Sequence, residues 1–316
     1  MTVTVRAPAK VNVQLSVGGA RPDGFHDLAN VFLAVGLYDE VTVTPADELS
    51  VTCVGTDADQ VPLDVTNLAA RAAIELGRRY GVDPRVHIHI AKDIPVAGGM
   101  AGGSADGAAA LLACDTLWGT NASRGELLEI CAELGSDVPF ALVGGAALGL
   151  GRGERLKALE VGGTFHWVFA SAHRGLSTPA VFREFDRMNE GVRIPEPVAS
   201  PELLAALAKG DAAALAGAVS NDLQPAALSL FPELSRTLAA GRAAGALAAL
   251  VSGSGPTTAF LARDPESADA IAGALSASGT CRTVRTASGA APGATVLAPG
   301  ATVLVPGATV PAPGAH

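Results

Sequence analysis

Apolar residues alternate with polar ones through "TVTV" and again through "VNVQLSV", where Val11, Val13, Leu15 and Val17 share one face. A period of two predicts strands there. The same alternation predicts strands at 41–45 and 49–54. Asn67 then precedes "LAARAAIELGRRYG", whose apolar positions return at helical spacing until Gly81, so a helix capped by Asn67 and closed by glycine is expected. "RVHIHIA" reverts to period two, placing Val86, Ile88 and Ile90 on one face and His87 and His89 on the other, solvated one. With no third ligand nearby, the two imidazoles read as surface residues rather than a metal pair. Helices are predicted from Ser104 to Trp118 and from Ser123 to Leu134.

The glycine-dense stretch "GSDVPFALVGGAALGLGRG" separates this half from a second pattern: "HWVFA", alanine-rich helices, "ALAALVSGSGPTTAFLA", a helix over 265–277 and a last strand "TCRTVRT". The expected units are 1–153, 154–288 and a remainder, 289–316, built on a repeat of Pro-Gly-Ala-Thr-Val. Each repeat has a turn former and too few apolar residues to offset chain ordering, so 289–316 reads as a disordered tail; an added edge strand is the other reading.

Composition narrows the function. At 316 residues with 49% hydrophobic and 17% charged positions, the chain is an ordinary globular sequence. A formal net charge of −9 excludes a broad nucleic-acid surface, though a few local donors can still hold a small anion. Cys53, Cys114, Cys131 and Cys281 lie far apart and indicate neither a zinc knuckle nor a disulfide framework. The N-terminus lacks a signal-peptide pattern, and no uncharged run reaches the roughly 18 apolar residues of a membrane span, so a cytoplasmic protein is expected, a monomer or weak homodimer.

The stretch "PVAGGMAGGSAD" at 95–106 suggests chemistry. A chain this poor in side chains lets backbone N–H groups approach an anion, and the helix that follows adds the positive end of its dipole. Its spacing fits neither G-x-G-x-x-G nor a Walker A loop, which needs Lys-Ser/Thr after the last glycine where this chain has Ser104-Ala105. Alone, it reads equally as a structural turn. "APAKVN" at 7–12, "RPDGFHDL" at 21–28 and "SGSGPTTAF" at 252–260 decide between the two.

With these motifs, and with "LYDEV", "GSDVPF" and "NDLQP", the chain resembles the GHMP kinases as far as about residue 288, and within them the group that phosphorylates a cytidine diphosphate sugar alcohol. The resemblance implies an α+β, two-domain GHMP kinase fold: an N-terminal domain like ribosomal S5 domain 2, a ferredoxin-like C-terminal domain, and a site in the cleft between them. It implies ATP, with Mg²⁺, as phosphoryl donor to a 2-hydroxyl on the methylerythritol phosphate route to isoprenoids. A kinase of homoserine or mevalonate type is the alternative, and a catalytically silent ligand sensor on the same fold a further one.

The resemblance carries over residue by residue. Asp137 matches the catalytic base and Lys10 its partner; without that context Asp137 would read as an N-cap on "VPFALV". Gly98, Gly99, Ala101, Gly102, Gly103 and Ser104 match the phosphate cradle. Asn67, Leu68, Lys92 and Pro95 match the adenine site, although Asn67 serves equally as a helix cap. Asn12, Phe25, His26, Thr178, Phe182, Gly253 and Ser254 match substrate contacts, with the aromatic residues placed to stack on cytosine. No side-chain ligand for Mg²⁺ is evident. Phe25 stands at a common tyrosine position and Met100 at a leucine position, and Asp106 puts an anion in the first helical turn, favoured by the dipole yet able to repel phosphate if turned inward.

Overall fold

The computed structural model describes residues 1–55, 57–96 and 98–298. β1 (Val3–Ala20) and β2 (His26–Pro45) form one long antiparallel pair. The sequence predicts two short strands where β1 is continuous, because Pro8 breaks the alternation; the strand absorbs it with register shifts at Pro8/Ala9 and Asn12/Gln14. Likewise the strand expected at 41–45 is only the end of β2, whose earlier part is buried on both faces and so shows no alternation.

β3 (Ser50–Gly55) and β4 (Val86–Lys92) extend this sheet in the order β1-β2-β4-β3. β5 (Ala146–Gly151) pairs with β2, and β6 (Arg155–Leu159) pairs with β5. The boundary expected at 153 is therefore the turn of a hairpin inside the first sheet. Its glycines serve that turn, and the second sheet begins later.

α2 (Gly102–Trp118) and α4 (Val138–Val143) pack on the sheet, and α1 (Leu68–Tyr80) and α3 (Arg124–Leu134) pack against them. α1 starts at Asn67, whose Oδ1 accepts from Ala69 N at 2.8 Å, and ends at Gly81 with φ +67. α3 starts with a capping box between Ser123 and Glu126. The middle of α2, from Ala105 to Leu111, is buried, and its alanines let it lie close against β1 and β2.

The second, antiparallel sheet has the order β11-β7-β10-β9, from β7 (Phe165–Ser171), β9 (Ala248–Val251), β10 (Thr258–Ala262) and β11 (Thr283–Gly289). Phe165, Trp167 and Phe169 on one face of β7 join the main core with Leu203 and Leu207 of α6 (Pro201–Lys209) and Leu215 of α7 (Ala212–Ala218). Val168 and Ala170 on the other face join α5 (Thr178–Met188), α8 (Gln224–Leu230), α9 (Leu234–Ala243) and α10 (Pro265–Ser278) in a second core. A short β8 (Ser220–Asn221) returns to pair with β1. Two sheets with helices packed on each give the α+β architecture expected.

Residues 289–298 do not form the loose tail expected. β12 (Thr295–Val296) pairs antiparallel with Val5 and Arg6 of β1, and Ala291 is buried. Few apolar residues suffice here because the edge of β1 supplies the backbone partners. The rest of the expected tail, 299–316, lies outside the described residues. Among the described residues no helix is long and apolar enough to cross a membrane.

Candidate active site

Between the two sheets lies a cavity of about 760 Å³. Its floor is the glycine loop and the start of α2. The helix begins at Gly102, earlier than Ser104; the residue before it, Ala101, is left-handed (φ 61) and has no side chain able to cap. The first N–H groups of α2 thus have neither an intrahelical partner nor a capping group, and Gly102, Gly103 and Ser104 line the cavity.

The loop is held from two sides. Lys10 N donates to Met100 O at 3.2 Å, Thr257 N donates to Gly98 O at 3.3 Å, and Ser252 Oγ donates to Gly99 O at 3.1 Å. Gly99 has φ +73 and passes so near Ser252 O that a Cβ would overlap it. The residues of "SGSGP" are therefore the wall opposite the glycine loop, and Gly253, Ser254 and Gly255 line the same cavity.

Lys10 and Asp137 face each other there, with Lys10 Nζ 3.6 Å from Asp137 Oδ2. Asp137 precedes α4 but makes no side-chain cap hydrogen bond, so its carboxylate remains available to the cavity. Lys10 Nζ also donates to Asn12 Oδ1 at 2.6 Å, and Asn12 Nδ2 donates to Asn30 Oδ1 at 2.8 Å. Burial lowers the pKa of the Lys10 ammonium, and the charge of Asp137 opposes that shift.

The other end of the cavity is aromatic. Phe25 is 48% exposed and lies beneath the Arg152 guanidinium, 5.0 Å from the ring centroid. The His26 and Phe182 rings lie 4.9 Å apart, and His26 Nε2 is 2.8 Å from Asp186 Oδ1. Thr178, Phe182 and Asp186 recur at four-residue spacing on α5, so one helical face supplies all three to the cavity. Thr178 Oγ1 meets Ser254 Oγ at 2.7 Å.

Leu68 lines the cavity, but the other residues matched to the adenine site do not. Asn67 acts as the cap of α1, and its Nδ2 donates to Pro62 O at 2.7 Å. Pro95 is buried beneath the loop. Lys92 is only 1% exposed, and its Nζ donates to Asp39 Oδ2 and to Asp106 Oδ2 at 2.8 Å. Asp106 is thus turned inward, towards a lysine. Asp39 accepts further bonds from Asp93 N and Ile94 N at 2.8 and 2.9 Å. Burial, reinforced by the charge of Asp106 and opposed by Lys92, pushes Asp39 up to about 8. The carboxylates keep Lys92 charged despite its burial.

Sequence reasoning missed Asn30, Arg152 and Asp186, which also line the cavity. Asn30 carried a signal, a polar residue inside an apolar strand segment. Asp186 was implied by the helical spacing from Thr178 and Phe182. Arg152 in its glycine-flanked turn carried none.

Residues 67–145 match the GHMP kinases N terminal domain, and 203–281 match the GHMP kinases C terminal domain. The chain is 82% identical over 297 residues to a 4-diphosphocytidyl-2-C-methyl-D-erythritol kinase of Streptomyces avermitilis, covering 94% of this chain and 100% of that protein. It is 58% identical over 304 residues to the enzyme of that name from Thermobifida fusca, covering 94% and 98%. A crystal structure of 4-(cytidine 5'-diphospho)-2C-methyl-D-erythritol kinase superimposes with a TM-score of 0.75 at 33% identity, over 90% of this chain and 98% of that one.

Proposed function

The chain belongs to the 4-diphosphocytidyl-2-C-methyl-D-erythritol kinases of the GHMP family, and from that premise we propose how its residues transfer phosphate from ATP to the 2-hydroxyl of the cytidine diphosphate sugar alcohol. The observation that carries this reading is the uncapped Asp137 carboxylate opposite Lys10, at the mouth of a glycine loop that has backbone donors to spare. Phosphoryl transfer asks for positioning and charge neutralisation more than covalent help. Asp137 takes the proton of the attacking hydroxyl, and that oxygen forms the new bond to phosphorus as the bond to the ADP oxygen breaks. Lys10 pairs with the carboxylate, orients it and faces the negative phosphoryl group. The N–H groups at Gly102, Gly103 and Ser104 hold the remaining phosphates.

Mg²⁺ enters as part of the MgATP substrate and screens phosphate charge. Ser104, whose hydroxyl stands in the first turn of α2 beside the cavity, is the side chain that would meet it. Leu68 is the side chain available to adenine. Phe25 and Phe182 flank the cytosine, with Arg152 holding the Phe25 ring where tyrosine is common. The enzyme works in the cytoplasm as a monomer or weak homodimer.

A substrate panel tests the reading. The cytidyl substrate is expected to be phosphorylated far faster than homoserine or mevalonate; preference for either of those would transfer the chain to another branch of the family. Phe182→Ala is expected to raise KM for the cytidyl substrate about 5- to 150-fold, the worth of roughly 1–3 kcal/mol of base stacking, while KM for ATP stays put. A mutant that melts early yet binds both substrates normally would mark Phe182 as a core residue.

A further inference from the structure

After β11 the chain returns to the large sheet, and on the way it crosses behind α4. Ala291 N donates to Ala34 O at 3.0 Å, Gly145 N donates to Ala291 O at 2.8 Å, and Ala294 N donates to Ala141 O at 3.0 Å. Leu297 N then donates to Thr4 O at 2.8 Å beside the β12 pairing. Gly293 runs so close to the end of α4 that a Cβ there would overlap Leu142 O, and a Cβ at Gly144 would overlap Gly293 N. This crossing is possible only between glycines.

The crossing lies behind the reactive pair. Ala291 is 5% exposed, in a small cluster with Phe32, Ala34, Phe140 and Ala147. The Phe32 and Phe140 rings stack at 4.8 Å, and Lys10 Nζ lies 5.8 Å from the Phe32 centroid. Lys10 therefore rests over one ring of the cluster, while the other ring belongs to α4, the helix that Asp137 begins. Six residues are too few for a helix to fix itself, so its packing sets its position. Because Asp137 makes no cap bond, the placement of α4 sets where its carboxylate points.

We propose that residues 290–297 are a strap that positions Asp137 against Lys10 by holding α4 from behind. The inference rests on the assignment of Asp137 as base. A displacement of about 1 Å at a reacting group can cost on the order of 10² in rate, so a segment remote from both substrates can govern kcat.

The sequence supplies a clean control, because the strap, "APGATVL" at 291–297, is repeated at 298–304. Three variants are compared with the full chain: one ending at Ala298, one ending at Ala290, and Gly293→Ala, which keeps the whole segment and carries the test should the shorter chain fail to fold. Each is made with and without Asp137→Asn. The chain ending at Ala298 is expected to match the full chain. The chain ending at Ala290 is expected to lose about tenfold or more in kcat with both KM values within twofold, and Gly293→Ala to move the same way. In the Asp137→Asn background neither change should lower kcat further, since both act through one carboxylate. Addition of the peptide APGATVL should restore part of the lost kcat to the chain ending at Ala290.

Unchanged kcat in both strap variants would overturn the proposal. So would a loss of the same factor in both backgrounds, which would show a general structural role. Full kcat in Asp137→Asn alone would sink the base assignment, and the strap's part in it.

Discussion

Asp137→Asn is expected to lower kcat by about 10² or more, with KM for MgATP and for the cytidyl substrate nearly unchanged, because a positioned base contributes roughly 10²–10⁴. The substitution conserves shape and removes both proton acceptance and charge. The charge also matters to Lys10, whose pKa burial already lowers and only Asp137 supports; without the carboxylate, that ammonium shifts down further. Steady-state kinetics on the folded mutant check this. Turnover near wild type would leave Asp137 with no role as base.

The largest effect on stability is expected at Lys92. Lys92→Met leaves Asp39 and Asp106, 0% and 3% exposed, facing each other with no cation between them. Removing one partner of a buried ion pair costs about 3–5 kcal/mol, a fall on the order of 10 °C in Tm for a chain of this size. The loss should depend on pH, with a sign fixed by Asp39. Its pKa in the folded protein, about 8, lies above the ordinary 3.8, so the folded state holds a proton that the unfolded chain gives up, and stability falls as pH rises from about 4 to 8. That value already includes Lys92, whose charge and hydrogen bond hold Asp39 down. Without the cation Asp39 shifts up further and its ionisation costs more, so the deficit should be greater at pH 8 than at pH 5. Thermal melts at the two pH values decide, and a uniform deficit would show that lost packing, not charge, is what Lys92 supplies.

The elements with clear periodicity were legible in the sequence: α1 with its asparagine cap and closing glycine, α3 from Ser123, and β4 with its apolar face. β2 was not, because a strand covered on both faces loses the period of two. Most of the residues proposed for the site could be placed because they sit in short motifs, and the cavity brings Lys10, Asn12, Asp137 and the glycine loop together. Lys92 was matched to the adenine site by resemblance alone, and only the fold reveals two carboxylates, 53 and 14 residues away, beneath it. For 289–298 the lesser of the two readings, an added edge strand, is the one found: the composition is too poor to fold alone and favours a loose tail, but its partners are edges supplied by residues far away in the chain.

Incubation of the purified protein with MgATP and 4-diphosphocytidyl-2-C-methyl-D-erythritol, followed by mass and phosphorus NMR analysis of the product, tests the central claim most directly. One phosphoryl group should be added, as a monoester on the 2-hydroxyl, and Asp137→Asn should form it at least about a hundredfold more slowly. An unmodified substrate, a phosphate at another oxygen, or ATP hydrolysed without transfer would contradict the account.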